Sequence, residues 1–190
     1  MEKRAFIAEI RSAGEGEDKK VAGVGIVYDA WTELWPGYKE RINKGAVKWA
    51  NEVKSCFNHN PSMILSTNKS NPPLELRDME TGLEYTSPIP PTTYGKDLEV
   101  NLERGNVRGS SFAFGVPKNG DRIWENDEGV MHREIKELIL YEIGPVTDPA
   151  YIQTTAAVRS AREAIAEWRA AQIPVSRRIG ERRQRLAESS

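Results

Sequence analysis

The sequence has one cysteine, Cys56, and only two histidines, His59 and His132. A single cysteine excludes an intramolecular disulfide and a cysteine-rich zinc site. No apolar run approaches the roughly 20 residues that a membrane-spanning helix needs, and the first ten residues lack the hydrophobic region of a secretory signal. We therefore expect a cytoplasmic protein in which any base acting at neutral pH is one of two histidines.

The composition is that of a folded protein with an uneven charge distribution. Hydrophobic residues make up 38% of the chain and charged residues 29%, which is typical of globular domains rather than disordered ones. Residues 159–190 contain eight arginines, no lysine and four glutamates, whereas the rest of the chain has an acidic excess. Such a basic segment is either a solvated helical tail or a contact for an acidic partner.

Most of the chain has the pattern of short β-strands. Residues 21–28, 62–66 and 82–90 predict strands because they are rich in β-branched or aromatic residues and are bounded by glycine, proline or polar residues. Residues 107–122 contain a Pro-Lys-Asn-Gly turn, which predicts a hairpin between the segments 107–116 and 121–125. Residues 130–146 alternate in part and predict one or two further strands.

Helical patterns interrupt this β-rich region and follow it. Residues 38–54 predict a helix or a loop, and residues 92–104 predict a helix that ends at Gly105. From about residue 155 the apolar residues follow helical spacing until Pro174 ends the pattern. We therefore divide the chain into a mainly β domain of residues 1–155 and a helical, Arg-rich tail of residues 156–190.

A serine motif lies in the β-rich region. Residues 109–113 read Gly-Ser-Ser-Phe-Ala, one residue away from the Gly-x-Ser-x-Gly motif of α/β-hydrolases. That motif requires a strand, a sharp turn and a helix, with a histidine after the acid. Here a turn and another strand follow, and no histidine follows Glu142 or Asp148, so we exclude that fold. Taken alone, a serine between aromatic residues is more often a packing residue than a nucleophile.

His59 is the leading candidate for a base that would activate such a serine. It lies in the polar, turn-like segment of residues 58–61, and a serine hydroxyl needs both a base and a third group that orients the imidazole. Glu142 is a carboxylate within an apolar segment, where burial is costly unless the charge is paired. On the residues alone, Glu142 either orients His59 or faces solvent from an alternating strand.

Seven segments of the chain carry a family pattern when they are taken together. They are residues 21–28, 40–46, 58–61, 82–84, 103–107, 109–114 and 140–150. In this order they resemble the phage prohead (procapsid) maturation proteases, relatives of the herpesvirus assemblin peptidases. The resemblance covers residues 5 to 155.

The resemblance implies a site and a fold. It places the catalytic base at His59, the nucleophile at Ser111 rather than Ser110, and the third member at Glu142, with Asp148 second and His132 third for that role. It also implies an α+β fold, in which a closed or nearly closed β-barrel of mainly antiparallel strands is flanked by helices and followed by a helical tail.

The implied activity is that of a serine endopeptidase that cleaves scaffold segments inside the immature capsid and then digests itself. The expected partners are the phage major capsid protein and its scaffold segment, and self-association is allowed. Neither a membrane nor nucleic acid is expected as a partner, and no cofactor or metal is implied. The expected location is the prohead in the host cytoplasm.

Four other interpretations have different consequences. A catalytically inactive assembly or scaffold module on the same barrel would leave the side chains of His59, Ser111 and Glu142 scattered. An esterase on a related barrel would share the same site. Cys56 is a conceivable nucleophile, but on a shared strand it would point away from His59. A metal hydrolase is disfavoured because the sequence lacks the short-range spacing of His and Glu ligands that such sites use.

Overall fold

A computed structural model describes residues 1–8, 10–14, 18–149 and 158–172 of the chain. Its described residues form thirteen strands and two α-helices. In chain order these are β1 (Glu2–Ile7), β2 (Ile10–Ala13), β3 (Lys20–Val27), β4 (Thr32–Trp35), β5 (Tyr38–Ile42), β6 (Val47–Cys56), β7 (Ile64–Thr67), β8 (Glu75–Asp78), β9 (Gly82–Pro88), α1 (Thr93–Glu103), β10 (Gly109–Gly115), β11 (Asp121–Glu125), β12 (Met131–Ile135), β13 (Leu138–Val146) and α2 (Val158–Gln172).

The described strands form three sheets. The first has the order β1-β10-β13-β6-β7, the second β11-β12-β5-β4 and the third β2-β3-β9-β8. Neighbouring strands are antiparallel except for β13 with β6 and β12 with β5, which are parallel. The mainly antiparallel α+β architecture agrees with the expectation, but the closed barrel is not observed, because backbone hydrogen bonds among the described strands do not join the sheets into one ring.

A buried network of ion pairs bridges the first and second sheets where backbone pairing does not. The Arg4 side chain, on β1, donates to both carboxylate oxygens of Glu40, on β5, at 2.6 and 2.8 Å. Arg133, on β12, donates to both oxygens of Glu2 at 2.7 and 2.9 Å and to Asp121 at 2.7 Å. Removing one partner from such a cluster leaves a buried charge uncompensated, so each member constrains the others.

The main hydrophobic core contains residues from all three sheets. Phe112 and Phe114 from β10 pack there with Tyr85 from β9 and Ile143 from β13, and all four are at most 3% exposed. Burying side chains of this size stabilises the fold by about 1.5–3 kcal/mol each. The core therefore fixes which face of β10 points inward, and the opposite face is left for the functional site.

The predicted helix at residues 92–104 is confirmed as α1. Thr92 caps it by accepting a hydrogen bond from the Gly95 amide at 3.2 Å, and Leu98 anchors its inner face with no exposed surface. The helix gives way at Gly105, whose φ of 68° lies in the left-handed region that glycine adopts readily.

Two local predictions are wrong. Residues 38–54, expected to be helix or loop, are strands β5 and β6; in β5 the alternating burial was hidden because its inward residue Glu40 is a charged partner in the ion network. The expected hairpin between residues 107–116 and 121–125 does not form, because β10 pairs with β1 and β13 while β11 pairs with β12. The turn between them connects two sheets instead.

Helix α2 packs against the second sheet. Ala161 is fully buried and Ile165 is 8% exposed, and both contact a cluster that contains Tyr38 and Met131. The helix is therefore attached to the body and not a loose extension, while the Arg-rich segment of residues 173–190 lies outside the described residues. Within the described part of the chain, no helix has the length and apolar character required to cross a membrane.

Candidate active site

Strand β10 presents its two serines to opposite faces of the sheet. Ser110 points towards the core, where its hydroxyl donates to the Tyr85 hydroxyl at 3.3 Å, and Phe112 shares that face. Ser111 therefore points to the other face, because successive side chains alternate along a strand. The alternation separates a core serine from one that faces the site.

A β-bulge in β13 directs Glu142 to the same face as Ser111. Ala113 pairs with Glu142 and Phe114 pairs with Leu140, so Tyr141 is an extra residue on β13. In a regular strand Leu140 and Glu142 would share a face. The extra residue breaks this relation, and Leu140 and Ile143 enter the core while Glu142 points outward. The spacing of three between the apolar residues 140 and 143 is the sequence signal of this bulge.

The turn after β6 brings His59 over the serine. Gly144, the cross-strand partner of Ser111, allows this, because a Cβ at that position would lie 2.6 Å from the Cys56 carbonyl oxygen. The chain crosses β13 at this glycine and turns sharply through residues Phe57–His59. Asn58 and His59 both adopt the left-handed region, with φ of 54° and 56°. Close approach and turn geometry together position the imidazole.

These three side chains form a continuous hydrogen-bonded chain. His59 Nδ1 lies 2.7 Å from a carboxylate oxygen of Glu142, and His59 Nε2 contacts the Ser111 hydroxyl. Because a carboxylate only accepts hydrogen bonds, Nδ1 carries the proton that binds Glu142, and Nε2 of the neutral ring is left to accept from Ser111. This is the arrangement in which an imidazole can take a proton from a serine hydroxyl.

A scan against protein-family models matches residues 7–167 of the chain to the caudovirus prohead serine protease family. The chain belongs to this family. It is therefore a serine peptidase of a family that acts in phage capsid maturation. Neither the curated proteins nor the solved structures contain a match to the chain.

The other candidate residues of the peptidase take different places. For the third role, the structure places the Glu142 carboxylate at His59 Nδ1. His132 lies on β12 in the second sheet, stacked on Trp124 with ring centroids 5.3 Å apart. Cys56 is buried, and burial together with the charge of Glu142 raises the pKa of its thiol to about 11. A thiol with that pKa is protonated at neutral pH and is a poor nucleophile.

The Ser111 hydroxyl has a second acceptor in this conformation of the peptidase. It lies 2.8 Å from the carbonyl oxygen of Arg4, on the neighbouring strand β1. A hydroxyl has one hydrogen to donate, so this carbonyl competes with His59 Nε2. The Ser111 side chain also has no exposed surface. The nucleophile candidate is therefore assembled with its partners but covered.

Sequence reasoning missed three residues that shape this site. Arg4 was not considered, although its carbonyl contacts the serine, and only the pairing of β1 with β10 places it there. Gly144 has no sequence signal that marks it, and its role as a crossing point becomes visible only in three dimensions. Asn58 was treated only as part of the histidine motif.

Proposed function

We propose that this peptidase cleaves scaffold segments of the phage major capsid protein, or a separate scaffold protein, inside the prohead, and afterwards digests itself. Ser111 is the nucleophile, His59 the base and Glu142 the orienting acid. The observation that supports these roles best is the hydrogen-bonded chain from Ser111 through His59 to Glu142. A catalytically inactive module would have no need of this chain.

The reaction is an acyl transfer in two steps. The Ser111 oxygen attacks the carbonyl carbon of the scissile peptide bond while its proton moves to His59 Nε2, and the imidazolium then returns that proton to the departing amine. Water, deprotonated by the same imidazole, next hydrolyses the acyl-enzyme. Glu142 holds the proton on Nδ1 and stabilises the positive charge that the ring acquires.

Substrate binding must rearrange the covered site before acylation. The Ser111 hydroxyl hydrogen has to point to His59 Nε2 rather than to the Arg4 carbonyl, and the fully buried serine has to become accessible to the substrate carbonyl. Activity would therefore require that the substrate or the assembling capsid first expose Ser111. This requirement fits a peptidase that acts after the prohead has formed in the host cell.

Replacement of the two neighbouring serines tests the proposal. Ser111→Ala should abolish cleavage of the co-expressed capsid and scaffold proteins, with a loss on the order of 10⁶ in rate as for another serine protease. Ser110→Ala, which removes only a core contact to Tyr85, should retain most activity. Mass spectrometry of the capsid fragments measures both variants. Retention of cleavage by Ser111→Ala would refute the proposal.

A further inference from the structure

The turn that carries His59 has an unusual backbone conformation. Asn58 and His59 are consecutive residues with φ of 54° and 56°, a region in which the Cβ of an L-residue is crowded. Asparagine is among the residues that tolerate this region best. Since two such residues in succession are unfavourable, the surrounding structure must stabilise the turn.

The Asn58 side chain supplies a contact that does so. Its Oδ1 accepts hydrogen bonds from the backbone amide of Thr147 at 2.9 Å and from the Thr147 hydroxyl at 3.3 Å. Thr147 follows directly after Val146, the last residue of β13. We call these two hydrogen bonds the Asn58 clamp. Because β13 also carries Glu142, the clamp ties the turn that holds His59 to the strand that holds the acid in contact with His59.

We propose that Asn58 is a positioning residue that holds His59 between Glu142 and Ser111. The inference rests on the catalytic roles proposed above and extends them to a residue that touches no reacting atom. The left-handed backbone of Asn58 sets the direction in which the chain reaches His59, and its side-chain oxygen fixes the turn to β13. Without the clamp, the imidazole loses its fixed relation to the serine and the carboxylate.

Four variants of the full chain separate these two contributions. Asn58→Ala removes the acceptor oxygen and disfavours the left-handed backbone. Asn58→Gly removes the side chain but keeps that backbone accessible, and Asn58→Asp keeps an acceptor oxygen in a side chain of similar size. Asn60→Ala is the matched control, because the Asn60 side chain accepts from the Ser62 amide in the same segment at 2.9 Å but does not reach β13. Circular dichroism on heating establishes that each variant is folded.

The readouts are reaction with a serine-directed fluorophosphonate and the imidazole signals of His59. We expect Asn58→Ala to label Ser111 about 10- to 100-fold more slowly, as for other small displacements of catalytic groups. Asn58→Gly should be intermediate, whereas Asn58→Asp and Asn60→Ala should stay close to the wild-type rate. With two histidines in the chain, nuclear magnetic resonance separates His59, whose signals should shift or broaden in Asn58→Ala, from His132, whose signals should not.

The outcomes distinguish this inference from the proposed function. If the folded Asn58→Gly variant labels at the wild-type rate, or Asn58→Asp labels as slowly as Asn58→Ala, the clamp does not position His59. If Asn58→Ala does not fold, the labelling rates of Asn58→Gly and Asn58→Asp still decide whether the clamp positions His59. If the wild type itself fails to react, Ser111 stays buried in the free chain, and the His59 signals decide whether Asn58 holds the ring. The proposed function is then decided separately, by cleavage of the co-expressed capsid and scaffold proteins.

Discussion

Glu142 is useful to the site only because its carboxylate faces His59. The carboxylate contacts Nδ1 at 2.7 Å while remaining partly exposed. An ionised acid at this position selects the tautomer whose Nε2 can accept a proton from Ser111. In the proposed mechanism the residue therefore acts through the imidazole and not on the substrate.

Replacement of Glu142 by glutamine tests this role. Glu142→Gln keeps the size of the side chain but removes the charge, so we expect kcat to fall by a factor on the order of 10² to 10⁴. Asp148→Asn and His132→Ala serve as controls and should have much smaller effects. Cleavage of capsid protein, followed by gel densitometry, measures the three variants. A greater loss from either control would transfer the role to that residue.

At the scale of single residues, the side chains of the site could be predicted from the sequence. The backbone contact of Ser111 with Arg4 could not. The scarcity of histidine and the serine motif direct attention to His59 and Ser111, and the structure brings His59 into contact with both Ser111 and Glu142. The Arg4 carbonyl, by contrast, reaches Ser111 from more than a hundred residues away in the chain. A backbone atom has no sequence pattern, so only the strand pairing discloses such a contact.

Close contact between β6 and β13 is what brings the turn over the serine. The Gly144 position has no room for a side chain, because a Cβ would meet the Cys56 carbonyl oxygen at 2.6 Å and the Cys56 amide nitrogen at 3.2 Å. Both are backbone atoms, which cannot move aside as the end of a flexible side chain can. The two elements must separate if a Cβ is added.

Gly144→Ala should therefore displace the histidine turn. We expect kcat to fall by about 100-fold, since a shift near 1 Å in a catalytic group has that effect, together with a lower free energy of unfolding. Gly115→Ala is the control, because its Cβ would meet the side chain of the partly exposed Tyr141, which can move. Wild-type kcat in a folded Gly144→Ala variant would contradict the role given to this crossing.

The elements that sequence predicts well are those with local signals. Helix α1 has a capping threonine and a terminating glycine, and strand β9 is bounded by glycine and proline, so both agree with prediction. Strand β5 was missed because its buried Glu40 resembles a surface residue until its arginine partners are known. The pairing of β10 was missed because a turn signal does not say which strands it joins.

For the whole molecule, the buried ion pairs join the first and second sheets, which backbone hydrogen bonds would join in a closed barrel. Burial alone would raise the pKa of Glu2, but its hydrogen bonds and ion pairs with Arg133 and Arg4 outweigh burial and lower the pKa from 4.5 to about 2. A lowered folded-state pKa means that Glu2 stabilises the fold fully above about pH 4.5, and that this contribution is lost as the pH falls towards 2.

The protein should consequently lose about 3 kcal/mol of stability from this one group between pH 4.5 and 2. Urea unfolding at a series of pH values measures the loss. Glu2→Gln should be less stable at neutral pH and should show a flatter dependence in this range. Glu84→Gln, at an exposed position of β9, should follow the wild type. Identical pH curves for Glu2→Gln and the wild type would contradict the role of the network.

The packing of α2 against the second sheet bears on where the domain ends in the chain. The proposed division near residue 155 separates a domain of residues 1–155 from a tail of residues 156–190, but Ala161 and Ile165 are buried against Tyr38 and Met131 of the body. Removing the helix would expose that apolar cluster on the second sheet to water. The helix should therefore contribute to the stability of the body.

Two truncations test this contribution. A chain ending at Gln172 is the reference, because it retains every contact of α2 described above. A chain ending at residue 155 should aggregate or melt more than about 5 °C lower, since exposure of the cluster costs on the order of 1 kcal/mol or more. Differential scanning calorimetry measures both, and Ile165→Ser in the full chain, compared with the exposed Glu167→Ser, isolates the packing of the helix. If the shorter chain stays soluble with an unchanged midpoint, α2 contributes nothing to the core, and the domain ends at residue 155 after all.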